Sequence, residues 1–212
     1  MGKTFAIITS ILSEIIFNFA IEIKVKMDKK IIAKAEASAI GGKPEVFAYH
    51  NENESKKIAI LSSRNRPQNG VITFATIGLF EVDFGLTSNS KNLRFELIGS
   101  CDKMIEMFPN MIATAAFNLM ESKNCSYGFV ATNVISGYLI DTDMKHFYLM
   151  NPFLWENLKT ISFDETFVTW LMCVPISDLE LKFLEQNGSD ALENEFEKND
   201  IDVFNIYRKS IF

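Results

Sequence analysis

The segment TFVTWLMCVPI, residues 166–176, constrains the fold of this chain more than any other. It is too short to cross a bilayer as a helix, which takes about 20 apolar residues. It also lacks the strict alternation of a strand with one wet face. A nearly continuous apolar, β-rich run predicts a central strand buried on both faces and ended by Pro175. Such a strand needs a covering layer on each side of its sheet.

The rest of the chain supplies candidates for those layers. Residues 28–40 read as a helix stopped by Gly41-Gly42, with Pro44 just beyond. Residues 45–49 and 57–61 read as strands joined by the polar turn HNENES, and RNRPQNG leads into a third strand in VITFATIGL, 71–79. In 93–98, Leu93, Phe95 and Leu97 alternate with Arg94, Glu96 and Ile98, which predicts a half-buried strand. The period changes over 103–121, where Met104, Phe108, Met111, Ile112, Ala115 and Leu119 form a helical stripe. Pro109 either kinks that helix or starts its second half. After the apolar run, Ser177 with Glu180 and Asp190 with Glu193 read as capping boxes of two helices separated by Asn187-Gly188. The expectation is an α/β (α+β) fold, a mixed, largely antiparallel sheet flanked by helices. Phe153, Trp155 and Trp170 are expected in its core.

With 212 residues and 48% hydrophobic composition, the chain is sized for one large domain. Residues 5–25 are apolar, but Glu14, Asn18 and Glu22 interrupt them, which argues against a membrane span. No small-x-small cleavage site follows cleanly. Met27 opens an ordinary amphipathic segment, so the domain is expected over 27–212. Residues 1–26 are then either an extension upstream of the true start or a dispensable helix. Three cysteines, an odd number with no C-x-x-C pair, fit a reducing, cytoplasmic setting without disulfides or zinc.

Charge is concentrated at one end. Between Ser177 and Asp202 lie nine acidic residues against two lysines, which leaves the remainder near neutral in a chain of net charge −6. A surface of that sign repels nucleic-acid phosphates and steers basic proteins towards it, although such runs also serve simply as solvated faces. Glu193, Glu197 and Asp200 are expected to form a solvent-facing row behind the buried Leu192 and Phe196. Arg64 and Arg66, too few for a nucleic-acid track, form a compact pair able to anchor an acidic group. Asp141, Asp143 and His146 stand close enough to meet around a metal, but their turn lacks the glycine and terminal glutamate of a calcium loop, so a solvated turn is the favoured reading. His50 and His146 lack the setting of a triad or a zinc hydrolase, and the cysteines have no visible activating partner. The reading is a non-enzymatic protein with no cofactor, no metal and no small-molecule substrate.

NPFLWENL (151–158), VITFATIGL and the stretch WLMCVPISDLELKFLEQNGSDALENEFEKNDIDVFNIYRKS (170–210) resemble the suppressor-of-fused domain family. The matching features are Phe153 and Trp155 after Pro152, the Val174-Pro175-Ile176 strand end, the Ser177/Glu180 cap, and the spacing of Gly188, Leu192-Glu193 and Asp202. The resemblance runs from about Lys30 to the C-terminus. It implies a mixed sheet flanked by helices and a role in binding proteins without catalysis. Bacterial single-domain members are associated with toxin systems as immunity proteins or antitoxins, often against nucleases. The expected partner is therefore a cognate toxin, docked through Glu193, Glu197, Asp200, Asp141, Arg64 or Arg66. A regulatory scaffold that adds a partner peptide to a sheet edge is the alternative.

Overall fold

A computed structural model describes residues 27–102 and 104–212. The expectations for residues 1–26 lie outside the described residues. Helix α1 (Lys29–Ile40) is followed by strands β1 (Glu45–His50), β2 (Lys57–Arg64) and β3 (Val71–Ile77) and a short 3-10 turn (Leu79–Glu81). Then come β4 (Thr87–Ser88), β5 (Lys91–Asp102), α2 (Phe108–Ser122), β6 (Val130–Ala131), β7 (Met144–Met150), β8 (Ile161–Ser162) and β9 (Thr166–Ser177). Helices α3 (Asp178–Asn187) and α4 (Ser189–Lys198) close the order. Among the described residues the strands form one mixed sheet in the order β1-β2-β3-β5-β9-β7-β6, with β4 on β5 and β8 on β9. Among these described pairs only β5–β9 is parallel.

Both faces of this sheet are covered, which is why its central strands are apolar throughout. On one face α2 packs on Ile60, Phe74, Leu97, Phe147 and Leu171. Gly99 allows that close approach, since a Cβ there would stand 3.3 Å from both Ile112 and Phe108 side-chain carbons. On the other face α1, α3, α4 and the loop bearing Trp155 cover Leu61, Ile98, Tyr148, Trp170 and Val174. β9 sits between β5 and β7, as its composition demands.

Several expectations need correction. β9 is not ended by Pro175 but runs through it to Ser177. Leu149 donates its N–H to the Phe129 carbonyl and accepts the Gly128 N–H at its own, so alternate β7 residues, Tyr148 among them, bond β9. By that alternation Pro175 turns its backbone towards β5, whose pairing with β9 has already stopped at Met172. No ladder donor is missed there, and Arg208 Nη2 donates to the free Pro175 carbonyl at 2.8 Å. The 93–98 segment is not half-buried: β5 is a twelve-residue strand buried on both faces from Phe95 to Cys101. Met104 lies outside α2 and is 76% exposed, and Pro109 stands in the helix's first turn instead of kinking it. Phe153 is 55% exposed, while Trp155 and Trp170 are buried as expected.

Two buried carboxyls brace the centre. Ile32, Glu36 and Ile40 share one face of α1 at four-residue steps, and all three are buried. Glu36 Oε1 accepts from Trp170 Nε1 at 2.9 Å, while Oε2 has no hydrogen-bond partner among the described residues. Glu96 accepts from the N–H groups of Gly78, Leu79 and Phe80 and from the Thr76 hydroxyl. Loss of solvent pushes both carboxyls above the ordinary range, and each disfavours the other's charge. The four donors around Glu96 favour its ionised form and so place the retained proton on Glu36.

Candidate functional site

The acidic end is built on α4. Gly188 (φ 84°) closes α3 by donating its N–H to the Leu184 carbonyl, and α4 begins at the next residue. The expected Asp190/Glu193 capping box does not form, because no side chain caps α4 and Asp190 already lies in its first turn. The Ser177/Glu180 box is present, with both reciprocal bonds made. At its far end α4 closes through a Schellman pattern: Asp200 N–H donates to the Glu197 carbonyl and Ile201 N–H to that of Phe196. Asp200 takes the left-handed position there, at φ 45°.

Leu192 and Phe196 bury against the sheet, as their spacing requires. Glu193 does not stand in a free solvent row. Its Oε1 accepts from the Tyr148 hydroxyl at 2.6 Å and the Tyr127 hydroxyl at 2.7 Å. These bonds tie α4 to β7 and to the loop before β6. Burial first, and then the bond to Glu193, raises the Tyr148 phenol's pKa; the Glu193 bond is the main cause for Tyr127. Both phenols remain donors at neutral pH.

Glu193, Glu197 and Asp200 do come together, with Asp190 and Asn194, on the rim of a cavity of about 760 Å³. Its apolar wall is Met150, Phe153, Phe196, Ile201 and Val203. Glu197 and Asp200 are exposed and stand at the C-terminal end of α4, where the helix's partial negative charge repels carboxylates. Carboxylates above an apolar wall suit a cationic side chain whose alkyl stem packs on Phe153 while its head meets the rim.

A buried ion pair supports this groove from behind. Arg208 grips Glu180 bidentately, Nη1 to Oε1 at 2.6 Å and Nη2 to Oε2 at 2.9 Å. Its guanidinium also lies 5.6 Å from the Phe196 ring centroid, and Phe196 in turn packs edge-on to Tyr148.

The other expected residues lie elsewhere. Asp141 is exposed in the loop before β7 and does not line the groove. Arg64 ends β2 and Arg66 follows it, beside Lys43, near the opposite edge of the sheet. His146 is buried, with Nδ1 accepting from the Asn133 N–H and Nε2 thereby donating to Asp178. Asp143 faces Lys209 and the Ser210 N–H, so the Asp141, Asp143 and His146 side chains are not gathered at one point. No group of three or more potential metal ligands occurs among the described residues. The three thiols are buried and unpaired, and burial pushes the Cys125 thiol up to about 12 and Cys101 and Cys173 higher still. No described helix is long and apolar enough to cross a membrane.

Neither the exposure of Phe153 nor the anchoring of Glu193 by Tyr127 and Tyr148 is legible in the sequence around them. The one local signal for Phe153 is its place after Pro152 in a loop.

The family model for suppressor of fused protein matches residues 54–209. The chain belongs to the suppressor-of-fused family. It is 39% identical over 189 residues to a Bacillus subtilis protein named immunity protein YqcF, an alignment covering 88% of this chain and 98% of that one. The fold is shared with a crystallised suppressor-of-fused homologue from Neisseria gonorrhoeae, at TM-score 0.68 and 14% identity over 86% of this chain and 95% of that one. It is also shared with a chain of the Sufu–Fu complex, at TM-score 0.59 and 12% identity, covering 86% and 91% of the two chains. The suppressor-of-fused sheet is therefore the frame on which this chain displays its acidic groove.

Proposed function

We propose that this chain is a non-catalytic immunity protein that neutralises a cognate toxin, a nuclease by preference, through a stoichiometric complex. The observation that carries the reading is the groove in which Asp190, Glu193, Glu197 and Asp200 face a wall containing the exposed Phe153. Nucleases present basic surfaces to their phosphate substrates, and an acidic groove competes for the same cations. The 39% identity to a protein named as an immunity protein supports the same role. The unpaired, buried thiols fit action in a reducing cytoplasm. Buried His146, with both ring nitrogens engaged, fits a structural role in place of a catalytic one.

The test changes only groove carboxylates that the fold does not use. Glu193 is unsuitable, because a lysine there would orphan the hydroxyls of Tyr127 and Tyr148. The triple variant Asp190→Asn, Glu197→Lys, Asp200→Asn keeps the packed face intact. Co-expressed with the toxin, it should fold as wild type, associate more slowly with a weaker salt dependence, and fail to protect growth. Wild-type protection and association rate at low and high salt would remove the groove from the interface.

A further inference from the structure

The two edges of the sheet differ. β6, at one end, has two residues and offers little template for another strand. β1, at the other, has six and pairs only with β2 among the described residues. The β1–β2 register runs from Glu45 opposite Ser62 to His50 opposite Lys57, and Asn51 N–H donates to the Lys56 carbonyl at 3.2 Å. Backbone groups of an antiparallel strand alternate in direction. Glu45, Phe47 and Tyr49 therefore turn theirs to β2, and Val46, Ala48 and His50 point theirs out of the sheet.

The side chains along this edge are graded in character. Val46 and Phe47, on opposite faces of β1, are each 53% exposed. On the face carrying α2, Phe47 and Tyr49 border a cavity of about 280 Å³ shared with Ile72, Phe74 and Pro109 and with the exposed Glu106. At the N-terminal end of β1, Lys43, Arg64 and Arg66 line a hollow of about 400 Å³ in which Glu45 is the one carboxylate. Arg64 lines both spaces, so the apolar slot runs into the cationic end. Glycine at 42 makes room for this corner, since a Cβ there would come within 2.6 Å of Ser63 Oγ and 3.4 Å of Arg66 Cγ.

We propose that β1 is a second docking surface, where an extended segment of a partner protein adds as an antiparallel strand, seats an apolar side chain against Phe47 and places a following aspartate or glutamate among Lys43, Arg64 and Arg66. Antiparallel addition continues the β1-β2-β3 meander and brings the C-terminal end of the added strand to the N-terminal end of β1, where the cations are. The preference is opposite in sign to that of the acidic groove, so the two surfaces select different segments.

The experiment pans a random decapeptide display library against the full chain and measures the enriched peptide by fluorescence anisotropy. Enriched sequences should carry alternating apolar residues followed by an acidic one. Ala48→Pro removes an outward N–H that β2 does not use, so β1 stays in place while peptide affinity falls at least tenfold. Lys43→Glu with Arg64→Glu should weaken binding as much and shift the enriched position from acidic to basic. If Ala48→Pro disturbs folding, the charge-reversal pair alone decides. Equal binding to wild type and variants, enrichment without an acidic residue, or no enrichment overturns the proposal. So does a dimer in light scattering that Ala48→Pro dissociates, because a second copy would then hold the edge.

Discussion

Replacing Arg208 with alanine isolates what the buried ion pair contributes. Glu180 is fully buried, and its two oxygens accept from both terminal nitrogens of Arg208, from the Ser177 N–H and from the Ile211 N–H. Arg208 itself is 8% exposed and also satisfies the Pro175 carbonyl, the position at which β5 no longer reaches β9. The substitution leaves a buried carboxylate without its counterion and a backbone carbonyl without its donor. Breaking such a pair from one side costs about 3–5 kcal/mol. For a chain of this size that corresponds to a fall in Tm of roughly 6–20 °C, at about 2–4 °C per kcal/mol. Urea unfolding followed by far-UV circular dichroism at pH 7 measures it. The decisive control is Arg208→Met combined with Glu180→Gln, which removes both charges while keeping an amide to accept from the Ser177 N–H. It should recover about half of the loss or more, because the main cost is the orphaned charge. A loss below about 1 kcal/mol for Arg208→Ala, or a double variant as unstable as the summed singles, would refute this account of the pair.

Two further outcomes follow from the centre of the sheet. Trp170→Ala should destabilise the protein by about 3–5 kcal/mol, since it empties a fully buried site and takes from Glu36 its one donor among the described residues; an unchanged Tm would contradict the central place of β9. Glu36 and Glu96 bind protons more tightly folded than unfolded, so their contribution is complete below the ordinary carboxylate value of 4.5 and is lost as pH rises through the raised folded values. Glu36→Gln, which needs no proton, should match wild type near pH 5 and be the more stable of the two at pH 8. Parallel stability–pH curves would show that the pair holds no extra proton.

The elements whose local chemistry and period agree were legible in the sequence. The run at 166–176 dictated a strand buried on both faces, because no one-sided sheet tolerates it. Gly41, Gly188 and the Ser177/Glu180 box marked helix ends, because capping is settled within a few residues of chain. The acidic end could be counted from the sequence, but Glu193 could not be told from Glu197, since the tyrosine hydroxyls that claim it come from residues 127 and 148.

What remained was decided by distant partners. Pro175 looked like a strand end because local rules assume a ladder donor is needed on both sides, and only the early stop of β5 and the arrival of Arg208 removed that need. Phe153 and Trp155 stand two residues apart with similar apolar character, yet one is exposed and the other buried, as the path of a loop over the sheet dictates. That β1 pairs only with β2 among the described residues is likewise a property of strand order, which no stretch of six residues encodes. Sequence alone fixed which segments must be covered, because burial follows from the apolar content of each segment. The tertiary structure decided which surfaces stay uncovered, because exposure depends on what every other segment leaves unfilled.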